Sequence, residues 1–176
     1  AFRQNDWASA KGALLSEVSS RDFAAAKIID SSADIDPVSA QARLRVQVDS
    51  GPAFVLGGLE IQGLSLYPRS LVDRYNPLKV GEAYDYERLL KLQAALQGTS
   101  YFGGVIVEID RDPAKAASAP VRVTLEEALP KRFGLGLGYS SNTGFRSEAN
   151  YRNANLFGQA LELNSSLRLE QKRQSA

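Results

Sequence analysis

The sequence contains no cysteine, no histidine and no methionine. Without cysteine there is no disulfide and no thiolate metal site, a usage that suits an oxidising periplasm. Without histidine the usual general base and the commonest metal ligand are missing. Ser140 and Ser141 therefore have no imidazole to activate them. No apolar run approaches the roughly 18 residues of a transmembrane helix, although a β-barrel would need none. Charge of one sign is lacking as well. Lys and Arg number 21 against 20 Asp and Glu, a net +1, which gives no electrostatic case for nucleic acid or anionic lipid. With no initiator and no signal pattern at Ala1-Phe2-Arg3, the expectation is a piece of a larger protein. On this reading it starts mid-domain and stops mid-strand at Gln174-Ser175-Ala176. The 176 residues leave room for one or two small domains, and a hydrophobic content of 44% is ordinary.

What is present is alternation. Phe133, Leu135, Leu137 and Tyr139 interleave with Gly134, Gly136, Gly138 and Ser140. Past the turn Ser141-Asn142-Thr143-Gly144, Phe145, Ser147, Ala149 and Tyr151 interleave with Arg146, Glu148, Asn150 and Arg152. Past Asn155-Leu156-Phe157-Gly158, Leu161, Leu163, Ser165, Leu167 and Leu169 interleave with Glu162, Asn164, Ser166, Arg168 and Glu170. In a strand, a period of two places one apolar face opposite one charged or glycine face. Three such strands in succession form the pattern of a transmembrane barrel wall. A soluble β-sandwich with one face in a core gives the same pattern. Charges and glycines suit a wet lumen. The other face is nearly free of charge, as lipid requires when an Arg or Lys costs about 2–4 kcal/mol at the midplane.

Upstream, residues 6–20 predict an amphipathic helix, with Asp6 as N-cap and Trp7, Ala10, Leu14, Leu15 and Val18 on one face. Strands are expected at Phe23–Asp30 and Ala40–Asp49, with a turn at Asp36-Pro37. Asp49-Ser50-Gly51-Pro52 marks a boundary. Ala53–Gln62 then predicts a strand, with a bulge at Gly57-Gly58. Pro68 opens a short helix to Tyr75, with Ser65 as its cap, and Asn76-Pro77 ends it. Asp85 caps a second helix to Leu96 with an inner face of Tyr86, Leu89, Leu90, Leu92 and Leu96, and Gly98 stops it. Strands follow at Val105–Asp110 and Val121–Glu126, joined by a flexible loop, Pro113–Pro120. The order is β-α-α-β-β. Trp7 and Tyr86, Ile29 and Val107, Val48 and Leu125 recur at an offset of roughly 78, an internal repeat. The expected division is 1–50, a module lacking its first strand and helix; 51–130, a complete module; and 131–176, an incomplete barrel wall.

The run Phe54-Val55-Leu56-Gly57-Gly58-Leu59-Glu60-Ile61-Gln62-Gly63 resembles the opening strand of a polypeptide-transport-associated (POTRA) domain. Gly81-Glu82-Ala83-Tyr84, Ser100-Tyr101-Phe102 and Pro120-Val121-Arg122-Val123-Thr124-Leu125-Glu126-Glu127 fit the same module. Gly134 to Gly144 resembles the first barrel strand of the outer-membrane protein assembly superfamily, and Asn155-Leu156-Phe157-Gly158 its second turn. The resemblance implies an α+β fold: POTRA modules (β-α-α-β-β) followed by the first antiparallel strands of a transmembrane β-barrel. It implies a non-enzymatic factor, without nucleotide or other cofactor, that assembles or translocates outer-membrane proteins such as autotransporters; the alternatives are a two-partner secretion transporter, a central β-barrel assembly subunit, or a soluble periplasmic interaction module whose glycine-rich tail is a β-sandwich edge. The implied partners are unfolded outer-membrane protein clients, the lipid bilayer and an inner-membrane-anchored, TamB-like periplasmic protein.

An unpaired strand edge is a row of free N–H and C=O groups, and β-augmentation fills it with another chain. Two edges are candidates. The client strand-binding edge of the complete module is Val105, Ile106, Val107, Glu108 and Ile109, which as plain sheet core would bury the same valines. The barrel seam strand is Phe133, Gly134, Leu135, Gly136, Leu137, Gly138 and Tyr139. Its glycines weaken pairing, and they also accommodate barrel curvature. Asp34-Ile35-Asp36 and Asp110-Arg111-Asp112 have D-x-D spacing but do not continue as calcium loops, and are expected to be solvated turns. Glu126 and Glu127 alternate across a strand and are assigned to a linker. Trp7 and Tyr75 are expected as core or interface anchors. In water, residues 53–127 are expected to fold and the unclosed barrel strands to remain disordered.

Overall fold

The structure is a computed structural model that describes residues 3–39, 41–140, 144–170 and 174–175. It opens with helix α1 (Gln4–Ser20) and an antiparallel pair, β1 (Lys27–Asp36) and β2 (Gln41–Asp49). Arg3, not Asp6, occupies the N-cap of α1 and makes no capping bond. Asp6 sits in the first turn, where its charge complements the helix dipole. The expected inner face of α1 buries nothing. Lys11 instead reaches Ser31 Oγ at 3.1 Å and lies 5.3 Å from the Trp7 ring. The strand expected at Phe23 begins only at Lys27. Residues 23–26 form a turn closed by Ala26 N–H to Phe23 O at 3.0 Å, and alanine has little strand preference to oppose it. The Asp36 turn forms as expected. Its carboxylate accepts from Ser39 Oγ (2.6 Å), Val38 N (2.8 Å) and Ser39 N (3.3 Å), and these bonds lower its pKa. The expected start of the second strand at Ala40 lies outside the described residues.

The middle module runs β3 (Leu56–Gln62), α2 (Arg69–Tyr75), α3 (Tyr86–Gln97), β4 (Phe102–Ile109) and β5 (Ala119–Glu127). The sheet order is β3-β5-β4, so β5 is central and β4 lies at an edge. Of the two β3 glycines, Gly57 serves a close approach, whereas a Cβ on Gly58 would meet nothing within 4 Å. A Cβ on Gly57 would lie 2.9 Å from the backbone oxygens of Ser118 and Ala119. Gly63 has φ +80°, and a Cβ there would overlap the Leu125 carbonyl. The segment expected as a flexible loop is a 3-10 helix, Pro113–Ser118. Asp112 caps it by accepting from Ala114 N at 3.0 Å, and Ala116 is buried. The Lys115 ammonium, 2.7 Å from Asp110, holds that carboxyl below its ordinary pKa. Against the expectation of two solvated turns, Asp34-Ile35-Asp36 ends β1 as paired strand, opposite Gln41–Arg43, and Asp110-Arg111-Asp112 is an extended link held by Asp112 N–H to Asp110 Oδ1 at 3.1 Å. Asp85 caps α3 through Glu87 N at 2.9 Å. Leu89, Leu92 and Leu96 are fully buried, whereas Tyr86 and Leu90 are about 40% exposed, against expectation. Leu90 lies one step of about 100° round the helix from Leu89.

The last part is an antiparallel sheet of β6 (Lys131–Ser140), β7 (Gly144–Leu156), β8 (Leu161–Glu170) and β9 (Gln174–Ser175), in that order. β6 begins two residues earlier than the alternation suggests, and β7 is longer. Of the turn expected at Ser141–Gly144, residues 141–143 lie outside the described residues, and Gly144 has φ +75°. No described helix is long and apolar enough to cross a membrane, which says nothing of strands.

The chain divides into two compact units. One comprises Ala1–Glu60, Pro77–Gln93 and Val107–Val123; the other comprises Ile61–Asn76, Ala94–Ile106 and Thr124–Ala176. The division crosses β3, α3, β4 and β5. The core of the first includes Phe54, Leu56, Tyr84, Leu89, Leu92, Val107, Val121 and Val123. That of the second includes Tyr67, Leu71, Val72, Leu96, Phe102, Val105 and Leu125.

Candidate functional site

β6 is the first strand of its sheet, paired on one side only among the described residues. Its register with β7 runs without interruption from Lys131↔Asn153 to Ser140↔Gly144. Leu135 therefore aligns with Ala149 and Leu167, and Leu137 with Ser147 and Leu169. Phe133, Leu135, Leu137 and Tyr139 are 69–91% exposed, so this face meets no protein core. Tyr139 and Phe145 stack with ring centroids 5.1 Å apart. On the opposite face Gly134 aligns with Asn150 and Ser166, and Gly136 with Glu148 and Arg168, which pair at 3.2 Å. The glycines are not forced by this neighbour. None has positive φ, and a Cβ on Gly134, Gly136 or Gly138 would meet β7 side chains only at 3.6–3.9 Å, ordinary contact distances. What they do is leave β6 a bare backbone on its polar side.

On β4, Val105, Val107 and Ile109 are buried, while Ile106 is 59% exposed and Glu108 pairs with Arg122 at 3.4 Å. Asp110 N–H bonds across to Pro120 O at 3.0 Å, on β5. Strand alternation then points the backbone groups of Ile109, Val107 and Val105 away from β5. The Val107 N–H is already taken, by Gln93 Oε1 of α3 at 3.1 Å. Nothing in the sequence pattern marked Gln93. Its position four residues from Leu89 on α3 is the one hint of its reach.

The residue most underread in the sequence is Glu127. Its carboxylate accepts from Ser65 N (3.0 Å), Ser65 Oγ (2.7 Å), Leu66 N (2.8 Å) and Tyr67 N (3.0 Å), so Ser65 is not the cap of α2. Partial burial opposes its ionisation, and the bonds from Ser65, Leu66 and Tyr67 outweigh it, leaving the pKa lowered. Burial, then the Glu127 charge, raise the pKa of Tyr67. Tyr67, Tyr101 and Phe102 form an edge-to-face cluster with centroids 5.2–6.5 Å apart. Against this lies the turn joining β7 to β8. Asn155 Nδ2 donates to Leu66 O at 2.7 Å, and Tyr101 OH donates to Ala160 O at 3.1 Å. Arg152 pairs with Glu162 at 2.9 Å, and Ser100 Oγ lies 3.5 Å from Glu162. Of the expected anchors, Trp7 is half-buried and Tyr75 borders solvent.

No family model matches the chain. Its fold is similar to that of BamA from Haemophilus ducreyi lacking POTRA domains 1–3. The TM-score is 0.80 at 15% identity, over 97% of this chain and 32% of that one. It is similar to BamA POTRA3–5 from Haemophilus influenzae, with TM-score 0.59 at 21% identity over 72% of this chain and 49% of that one. It is also similar to CdiB from Acinetobacter baumannii, with TM-score 0.51 at 18% identity over 88% and 28%. The chain thus spans less than half the length of each of these structures. At such identities the likeness is one of fold: POTRA-like modules leading into the start of a barrel.

Proposed function

We propose that this chain is the module-to-barrel part of an assembly or translocation factor of the Gram-negative outer membrane, with its modules in the periplasm. The observation that carries the reading is the β6–β7–β8 register, which sorts exposed apolar residues to one face and charges and glycines to the other. The fold likeness to BamA supports the same class. The mechanism needs no cofactor. Unfolded outer-membrane clients pair their strands with an open edge, and the bilayer receives the product.

β6 is the better edge. Its outer side has no strand among the described residues, and its glycines contribute no side-chain packing to hold a neighbour. The β4 edge at Val105, Val107 and Ile109 has the Val107 amide occupied, so a client strand there must first displace Gln93. Within the class we read the chain as most like TamA, the outer-membrane subunit of the translocation and assembly module. That reading rests on the sequence motifs, and it brings autotransporter clients and a TamB-like partner. The second reading is a two-partner secretion transporter, favoured by the fold likeness to CdiB.

The test uses the full-length parent in membranes. Cysteines at Gly136 and along the final barrel strand lock the seam by disulfide. Assembly should stop on locking and return on reduction. Assembly that continues through a locked seam refutes the β6 mechanism and moves the working edge to β4.

A further inference from the structure

We propose that the β7–β8 turn is a coupling joint, through which the last module holds the seam strand in place, with Asn155 and Tyr101 as positioning residues. This rests on the assembly reading for its use, but not for its geometry.

Asn155 is double-ended. Its Oδ1 accepts from Ala160 N at 2.9 Å, which shapes the turn, while its Nδ2 donates to Leu66 O at 2.7 Å, which ties the turn to the module. The loop that receives it is itself held, since Glu127 takes the amides of residues 65–67. Tyr101 OH adds a second tie, to Ala160 O. The linker is fastened at both ends, by Ala128 N–H to Tyr101 O at 2.8 Å and by Ala154 N–H to Pro130 O at 2.7 Å. Burial agrees. Asn153, Ala154 and Ala160 are 3–7% exposed, while β6 and β8 are exposed almost throughout. The turn also carries strain that these ties offset, since Phe157 and Ala160 have φ of 57° and 52° without being glycine. Because β6 is paired along its whole length with residues 144–153 of β7, a turn held by the module at the end of β7 holds β6 as well.

The experiment is amide hydrogen exchange on the full-length parent in lipid nanodiscs, for wild type, Asn155→Asp, Asn155→Ala and Tyr101→Phe. Asp at 155 retains the acceptor for Ala160 N and loses the donor to Leu66 O. If Asn155 merely shapes the turn, Asn155→Asp exchanges like wild type. If it couples, Asn155→Asp and Asn155→Ala both raise exchange across Phe133–Tyr139 by about fivefold, the scale of one lost hydrogen bond. Tyr101→Phe, which removes a tie without touching the turn's own bond, moves the same amides in the same direction. Exchange unchanged in β6, or raised only within residues 156–160, overturns the proposal. Client assembly is scored separately. A wild-type parent that assembles no client refutes the assembly reading and leaves the exchange result standing.

Discussion

Glu127 is where one side chain does most. A carboxylate that accepts several bonds from one loop replaces the water those amides would otherwise need. Its pKa is lowered in the fold, so the stability it contributes is fully present above the ordinary glutamate range. That stability is lost as pH falls through the lowered value. Glu127→Gln keeps one acceptor and turns an amide N–H₂ against the loop's own donors. It should destabilise the fold by about 1–3 kcal/mol at neutral pH, the scale of a hydrogen bond to a charged group. Denaturant melts at pH 7 and pH 3 check this, and the variant's deficit should shrink at the lower pH. An equal deficit at both would mean the charge is irrelevant. The sequence showed a Glu at the end of an alternating strand and nothing more. The donors that define its role lie about sixty positions away, and no local pattern records them.

At the scale of the element, period and burial agree best where a face meets a core. The buried positions of β5 follow the alternation, and α3 buries Leu89, Leu92 and Leu96. Leu92→Ala should cost about 2–5 kcal/mol, as deletion of a fully buried leucine does, with the loss read as a lowered denaturant midpoint. A loss under about 1 kcal/mol would mean that the site refills. α1 is the counter-case. Its apolar spacing was legible, yet it buries no residue, because periodicity states which face is greasy and not what lies against it. The 3-10 turn at Pro113–Ser118 was missed for a similar reason. Alanine and proline read as loop, while its order comes from the Asp112 cap and the buried Ala116. Gln93 makes the β4 edge testable by itself. Gln93→Ala frees the Val107 amide, and should raise retention of an added extended peptide on the protein. Unchanged retention would remove β4 from the list of working edges.

For the whole molecule, the order of elements was readable. Alternation located β6, β7 and β8 because both faces of a barrel wall obey one rule. The two compact units cut across the middle sheet, a fact set by which residues touch and not by where linkers fall. The outer face of β6–β8 carries Leu135, Leu137, Phe145, Leu167 and Leu169 at 45–91% exposure. A continuous apolar face of that kind calls for lipid or a partner. The chain should float with phospholipid vesicles in a density gradient, and removing residues 131–176 should leave it at the bottom. A full chain that sediments as a soluble monomer would favour the β-sandwich reading.

The bare backbone of β6 has one more consequence, for information. A strand that lies beside Gly134, Gly136 and Gly138 finds no side chain there to compare itself with. All that β6 can read in a neighbour is its outward half, against Phe133, Leu135, Leu137 and Tyr139. Such a template sorts sequences by every second residue and ignores the others. Strands with unrelated inward residues should therefore be accepted alike, while one charge on the outward side should suffice for rejection.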